Sequence, residues 1–400
     1  MDKKPEKLVP EVRFKGFTDD WEQHKLGEIS FKVNTKNKEN LTLPVLSNSA
    51  EYGIVNQEDY FDKKIANRTD NYYIVKHNDF VYNPRISKKA PYGPIRRNTL
   101  DTKGLMSPLY YVFRINDGNY IYLDYYFKSS KWYKFMYQNG DSGARSDRFA
   151  IKDKIFQMMP INMPNTKEQN KIGQLIQTLQ KLIDLQQRKL EQLKQLKKAM
   201  LQQLFVNKNN KQPNLRFKNF NGDWKQHKLK DISAFENGRA YKQNELLKEG
   251  KYPVLRVGNF YTKDQWYYSN LELDKNKYAN NGDLLYTWSA TFGPHIWSGP
   301  QVIYHYHIWK IQISNKINKF FLYSFLEADK VNLLHNTNGS TMIHITKSNM
   351  ENKVIMYPKT EEQLKIGQIS SHINNSITLQ QNKLTQLTIF KKYLLQKMFI

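Results

Sequence analysis

Between residues 164 and 206 the apolar positions fall into two interleaved columns with a seven-residue step. Ile172, Leu179, Leu193 and Met200 form one column; Ile176, Ile183, Leu190 and Leu204 form the other, four residues further on. A seam kept over more than four heptads predicts a coiled-coil helix, with Pro164 and Asn207 as its boundaries. The register returns near the C-terminus, with Ile366, Ile373, Leu387 and Leu394 in one column and Ile377, Leu384 and Met398 in the other. The polar interruptions return as well: Gln186 matches Gln380, and Lys197 matches Lys391. Polar residues in a seam cost stability and fix register and partner. Two matching seams in one chain predict that the helices pair. Antiparallel pairing would relate the two halves by a pseudo-two-fold axis. The alternative is two separate helices, each buried on its own globular half.

The rest of the chain repeats at its edges. "VRFKGFTDDWEQHKLGEIS" (residues 12–30) returns as "LRFKNFNGDWKQHKLKDIS" (residues 215–233), and "PNTKEQNKIGQLIQTL" from Pro164 returns as "PKTEEQLKIGQISSHI" from Pro358. The stretches between have no such match. They alternate apolar and polar residues as strands do. "LYYVFRI" (residues 109–115) and "HIWKIQI" (residues 307–313) predict strands, and "YIYLDYYFKS" and "KFFLYSFLEA" short helices after them. Clusters of Gly, Asn and Pro such as "YNPRISKKAPYGP" predict loops. The expected fold is mixed α/β: two pseudo-repeated globular domains joined by two long antiparallel coiled-coil helices. The expected boundaries are a first domain at 1–163, a helix at 164–206, a linker at 207–214, a second domain at 215–357 and a second helix at 358–400.

Charge sharpens this picture. Lys and Arg number 62 against 37 Asp and Glu, a net charge of +25 over 400 residues. A codon bias toward Lys would raise Glu too, so the imbalance points to a polyanion, ordinarily nucleic acid. The absence of cysteine excludes disulfides, thiolate zinc sites and cysteine nucleophiles, and suits a reducing compartment. The N-terminal "MDKKPEKLVPEVRF" has no apolar signal core, and no run of about 18 apolar residues predicts a membrane span. A soluble, cytoplasmic protein is expected.

Searches for chemistry return little. There is no G-x-G-x-x-G after a strand and no G-x-x-x-x-G-K-S/T loop, so neither a dinucleotide site nor ATP hydrolysis is expected. "NPRI" (residues 83–86) lacks the second proline and the aromatic residue of amino-group methyltransferases and reads as a basic loop. "HYH" (residues 305–307) would put two imidazoles on one face of a predicted strand. Without nearby acidic or thiol ligands these are ordinary histidines rather than a metal site. No catalytic residue and no metal are expected.

Repeated edges, variable middles and helical ends together resemble the specificity subunit of type I restriction–modification systems. "DDWEQHKLGEI" and "GDWKQHKLKDI" are similar to that family's domain starts, "EEQLKIGQI" to its conserved region, and "NGSTMIHITKSNM" (residues 338–350) to the end of its target recognition domains. The resemblance covers nearly the whole chain. It implies a non-catalytic subunit whose two target recognition domains each read one half of a split, asymmetric DNA site. Its helices would form a spacer and dock two modification (methyltransferase) subunits. S-adenosylmethionine would reside in those subunits, for adenine methylation, and ATP and Mg in restriction subunits joining through the complex; this chain would hold no cofactor. A helix of about 34 residues spans about 50 Å, against about 34 Å for one turn of DNA.

The DNA-contacting candidates follow from loop composition. In the first half they are Arg85, Lys88, Lys89, Arg96 and Arg97, with Arg145 and Arg148 as guanine readers. In the second they are Arg239, Tyr241, Lys242, Arg256, Asn259, Ser289, Thr291, Ser340, Thr341, His344 and Lys347; Trp288 reads as core. Because these loops differ, two unlike half-sites are expected. Three rivals stand beside this reading: a stand-alone DNA-binding protein or repressor, a methyltransferase or nuclease with diverged motifs, and a scaffold that binds RNA.

Overall fold

A computed structural model describes residues 8–63, 68–141, 147–206, 210–261, 265–289, 291–336 and 345–400. Two units divide the chain. The first joins Met1–Gln186 to Lys383–Ile400; the second is Gln187–Asn382.

Short alternating runs give unit 1 its strands: β1 (Glu22–Lys25), β2 (Ser30–Lys32), β3 (Val45–Ser49), β4 (Gly53–Asn56), β5 (Tyr73–Val75), β6 (Phe80–Tyr82), β7 (Ile95–Arg97), β8 (Gly104–Met106), β9 (Tyr111–Ile115) and β10 (Pro160–Met163). Between them lie the helices α1 (Leu26–Ile29), α2 (Gln57–Phe61), α3 (Tyr120–Lys128), α4 (Tyr133–Asn139) and α5 (Asp153–Phe156). One four-stranded sheet runs β2-β9-β6-β7, all antiparallel. The other runs β4-β3-β8-β5, with β3 and β8 parallel. A two-stranded sheet pairs β1 with β10.

After the long helix α6 (Thr166–Leu204), unit 2 repeats the plan. Its strands are β11 (Lys225–Lys228), β12 (Ser233–Asn237), β13 (Tyr252–Leu255), β14 (Tyr267–Ser269), β15 (Tyr278–Ala279), β16 (Leu284–Thr287), β17 (Gly293–Ile296), β18 (Val302–Tyr304), β19 (Ile308–Ile313) and β20 (Val354–Tyr357). The helices α7 (Lys319–Asn336), α8 (Lys347–Glu351) and α9 (Thr360–Lys397) follow. The sheets are β12-β19-β16-β17, β14-β13-β18-β15 with β13 and β18 parallel, and β11-β20. Middle regions with no sequence match therefore share one topology.

The repeated segments build one frame twice, nearly bond for bond. Arg13 grips Glu168 with two 2.8 Å hydrogen bonds; Arg216 grips Glu362 with two of 2.9 Å. Both carboxylates are buried. Gln169 accepts from the Asn119 N–H at 2.9 Å and donates to the Pro164 carbonyl at 2.8 Å. Gln363 does the same with Asn318 and Pro358, at 2.7 and 2.9 Å. Gly173 and Gly367 lie so close to α3 and α7 that an added Cβ would meet the backbone nitrogens of Tyr122 and Phe321 at 3.2 and 3.1 Å.

Both long helices contribute to each unit. In unit 1, Ile172, Ile176 and Leu179 of α6 share a core with Leu394 and the C-terminal residues Met398 and Phe399. In unit 2, Leu201, Leu204 and Phe205 share a core with Ile366. The start of one helix thus meets the end of the other, and the pairing is antiparallel. The expected seam residues (Ile172, Ile176, Leu179, Ile183, Leu190, Leu193, Ile366, Ile373, Ile377, Leu384, Leu387 and Leu394) are all buried or half-buried. The interrupting polar residues are engaged: Lys197 bonds Glu327 at 2.6 Å and Lys391 bonds Gln180. The helices have 39 and 38 residues, longer than the expected 34. Each helix end also closes a three-ring cluster. Phe399 packs on Tyr122, which meets Trp21; Phe205 packs on Phe321, which meets Trp224. Each opening segment is tied to such an end, the Val12 N–H to the Lys397 carbonyl at 3.0 Å and the Leu215 N–H to the Gln203 carbonyl at 2.9 Å. Within the expected linker, the Lys211 carbonyl accepts from the Trp224 N–H at 2.9 Å, so this part belongs to the opening of unit 2.

Candidate nucleic-acid interface

In each unit the loops after equivalent strands gather in one place. In unit 1 these follow β3, β6 and β8. Arg85, after β6, forms a backbone bridge with Arg148, flanked by hydrogen bonds from Ile86 to the Asp147 carbonyl at 3.0 Å and from Phe149 to the Pro84 carbonyl at 2.8 Å. The two basic loops that sequence placed far apart are thus adjacent. Ser87 and Ala90 close a tight turn that holds Lys88 and Lys89 out in solvent. Lys89 lies 2.8 Å from Glu51, in the turn after β3. Two buried asparagines fasten that turn: the Asn83 amide donates to the Asn48 carbonyl at 2.9 Å, and the Asn48 amide to the Val81 carbonyl at 2.7 Å. Pro84 and Phe149, next to the two bridged arginines, line a cleft of about 710 Å³ together with Tyr82, Tyr110 and Lys152.

Unit 2 assembles its cluster after β12, β13, β16 and β18. Arg239 bridges His305 through the backbone. Its guanidinium bonds Glu245 at 2.8 Å and lies over the Tyr241 ring at 5.4 Å. Exposed Arg256 lies over Tyr267 at 5.4 Å. His295 stacks on Phe260 at 4.0 Å, and its Nε2 is 3.1 Å from the Tyr261 hydroxyl. Burial, aided by the charge of Lys330, pushes its pKa down to about 4. Burial first, then His307 and Arg256, pushes His305 down to about 4 as well.

The candidate residues separate by environment. Arg85, Lys88, Lys89, Lys242, Arg256 and Thr291 are exposed, and Arg148, Ser289 and Lys347 half-exposed, with Lys347 3.5 Å from Glu351. Arg96 and Arg97 turn inward. Arg96 donates to the Ala50 carbonyl at 2.8 Å, and burial lowers its pKa; Arg97 donates to Asn78 at 2.6 Å and lies 3.7 Å from Asp124. They brace the turn rather than project from it. Asn259 accepts from the Arg256 N–H at 2.9 Å and donates to the Gln265 carbonyl at 3.2 Å, so its amide holds a turn together. The Tyr241 hydroxyl reaches the Tyr304 carbonyl at 3.5 Å. Trp288 stacks on Trp309 at 5.7 Å, as a core residue does. Arg145, Ser340, Thr341 and His344 lie outside the described residues. Two expectations are corrected: His305 and His307 occupy the turn between β18 and β19, not a strand, and the helix expected to be short over "KFFLYSFLEA" runs on to 18 residues as α7. Among the described residues no His, Asp and Glu group is arranged to hold a metal, and no helix is long and apolar enough to cross a membrane.

Sequence reasoning missed the frame residues Arg13, Glu168, Gln169, Gly173 and their counterparts. The signal was present: they are identical in both copies yet lie off the seam.

Comparison with known proteins gives the following. The family model for the type I restriction modification DNA specificity domain matches residues 18–195 and 221–388. The specificity subunit of the type I restriction enzyme MjaVIII, from Methanocaldococcus jannaschii, is 28% identical over 181 residues. That match covers 44% of this chain and 42% of the relative's length. Among solved structures, a type I S subunit from M. genitalium superposes with a TM-score of 0.60 at 16% identity, covering 98% of this chain and 99% of the other. A chain from a type I R-M system, solved for complex assembly and conformational transition, gives 0.57 at 14%, covering 94% and 96%.

Proposed function

Since the chain belongs to the type I restriction–modification DNA specificity family, we propose that each unit reads one half of a split DNA site and that the helices dock modification subunits. The observation that carries this is the double loop cluster. Two units of one topology present, at equivalent strand ends, loops with different side chains. A repeated frame holds the loops within each unit, and unlike loops make the two half-sites unlike. Arg85, Lys88, Lys89 and Arg148 in unit 1, and Lys242, Arg256 and Thr291 in unit 2, supply the phosphate and base-edge contacts. Arg96, Arg97 and Asn259 support the loops that do so.

Partner docking draws on exposed apolar residues along the helices. Leu185 is 58% exposed, Leu379 70%, Ile389 63% and Phe390 50%. These are side chains that a docked protein partner would cover. On this reading the chain acts in the cytoplasm and does no chemistry. S-adenosylmethionine serves the modification subunits; ATP and Mg serve the restriction subunits.

The test is selection from a randomised duplex library by the chain assembled with the modification subunit encoded beside it. Two short unlike elements around a fixed gap are expected. A single contiguous element would contradict the two-reader account, and tight selection by the chain alone would favour a repressor.

A further inference from the structure

The two histidines of "HYH" sit in a setting of their own. Residues 305–307 form the turn between β18 and β19, inside the loop cluster of unit 2. Hydrogen bonds from three neighbouring segments fix this turn. The His305 N–H donates to the Leu255 carbonyl at 2.9 Å, the Tyr306 N–H to the Arg239 carbonyl at 3.0 Å, and the Trp288 indole to the Tyr306 carbonyl at 2.9 Å. His305 and His307 line a cleft of about 150 Å³ together with Arg256, Gln265 and Tyr267.

The hydrogen-bonding character of the cleft can be read from its members. His305 Nδ1 faces the His307 N–H at 3.4 Å and so acts as an acceptor. In a neutral ring the proton then sits on Nε2, which makes that nitrogen a donor. Burial holds the ring neutral near pH 7. Arg256 is exposed at the rim and can only donate. Arginine and imidazole donors on residues of one cleft match two adjacent acceptors. In the major groove guanine alone presents two, O6 and N7. Adenine places a donor beside N7, thymine a methyl beside O4, and cytosine offers a donor.

We propose that Arg256 and His305 form a guanine-reading pair that sets one position of the half-site contacted by unit 2. The assignment rests on the proposed DNA-reading function. It belongs to one unit only, because the equivalent turn between β8 and β9 carries Ser107, Pro108, Leu109 and Tyr110.

The experiment uses the full chain assembled with its modification subunits and the duplex that this complex selects. Each guanine of both half-sites is replaced in turn by 7-deazaguanine, which lacks N7, and affinity is measured. One position in one half-site should lose roughly tenfold to a hundredfold. In complexes carrying His305→Ala or Arg256→Ala, the native site should bind more weakly and that penalty should shrink. Penalties in the other half-site should stay unchanged. Because the base analogue acts on the unaltered protein, the first arm holds even if a variant folds poorly. Three results would overturn the proposal: no guanine in either half-site, no penalty for 7-deazaguanine, or a penalty that neither variant changes. A complex that selects no sequence would overturn the proposed function, and this assignment with it.

Discussion

Arg13→Ala removes one side of a buried two-point ion pair. In the native chain the Arg13 guanidinium meets both oxygens of Glu168 at 2.8 Å and the Asp19 carbonyl at 2.6 Å. The Glu168 side chain is fully inaccessible and that of Arg13 13% exposed, so the change leaves a buried carboxylate without its arginine. Breaking such a pair from one side costs about 3–5 kcal/mol. Glu168 lies in the first turn of α6, where the helix dipole returns about 0.5–1 kcal/mol. A net loss of roughly 2–4 kcal/mol remains. For a unit of about 200 residues, each kcal/mol moves the midpoint by about 2–4 °C. The unit 1 transition should therefore fall by roughly 5–15 °C in calorimetry of the full chain. Arg13→Met with Glu168→Leu removes both charges and keeps the volume, and should recover most of the loss. Arg216→Ala should repeat the effect in unit 2, since Arg216 and Glu362 share the geometry. The reasoning fails if Arg13→Ala costs under 1 kcal/mol, or if the double replacement is as damaging as the single one.

Acid should weaken unit 2 before it protonates the carboxylates. His295 and His305 resist protonation until about pH 4 in the folded chain, whereas an unfolded histidine takes its proton near 6.5. Their contribution is thus whole above about pH 6.5 and is lost as pH falls toward 4. The urea midpoint of unit 2 should drop between pH 7 and 5, and His295→Gln should flatten that drop; an equal drop in the variant would count against the assignment. Gly367→Ala should destabilise by about 1–3 kcal/mol, measured by urea unfolding, because the new Cβ would lie 2.9 Å from Phe320 Cβ. An ordinary helical Gly→Ala change would gain about 1 kcal/mol, and such a gain here would refute the close approach. Lys88→Ala should weaken DNA binding across sequences and lower the salt slope by about 1. A change in the selected sequence would instead make Lys88 a base reader.

The frame was legible in the sequence because its signals are local and doubled. Seam spacing gave the helices, and the repeated edges gave the two units. The common topology of the middle regions was not legible, because β3 finds β8 and β13 finds β18 through contacts 60 and 49 residues apart that leave no shared local pattern. Loop composition located the clusters but not the direction of each side chain. Arg96 and Arg97 looked like surface cations, yet β7 pairs with β6 and directs them to Ala50 and Asn78. His305 and His307 alternate as strand residues do, but the chain turns there to pass from β18 in one sheet to β19 in the other, and only the fold brings Arg256 to them.

The central claim is that two different readers on one frame define one split site. The most direct measurement is a methylome: this chain expressed with the modification subunit encoded beside it, in a host without adenine methylation, read by long-read sequencing. The account predicts methylated adenines in two short unlike half-sites separated by a fixed gap of about one helical turn of DNA. Methylation at a contiguous or symmetric motif, or none from an assembled complex that binds DNA, would contradict it.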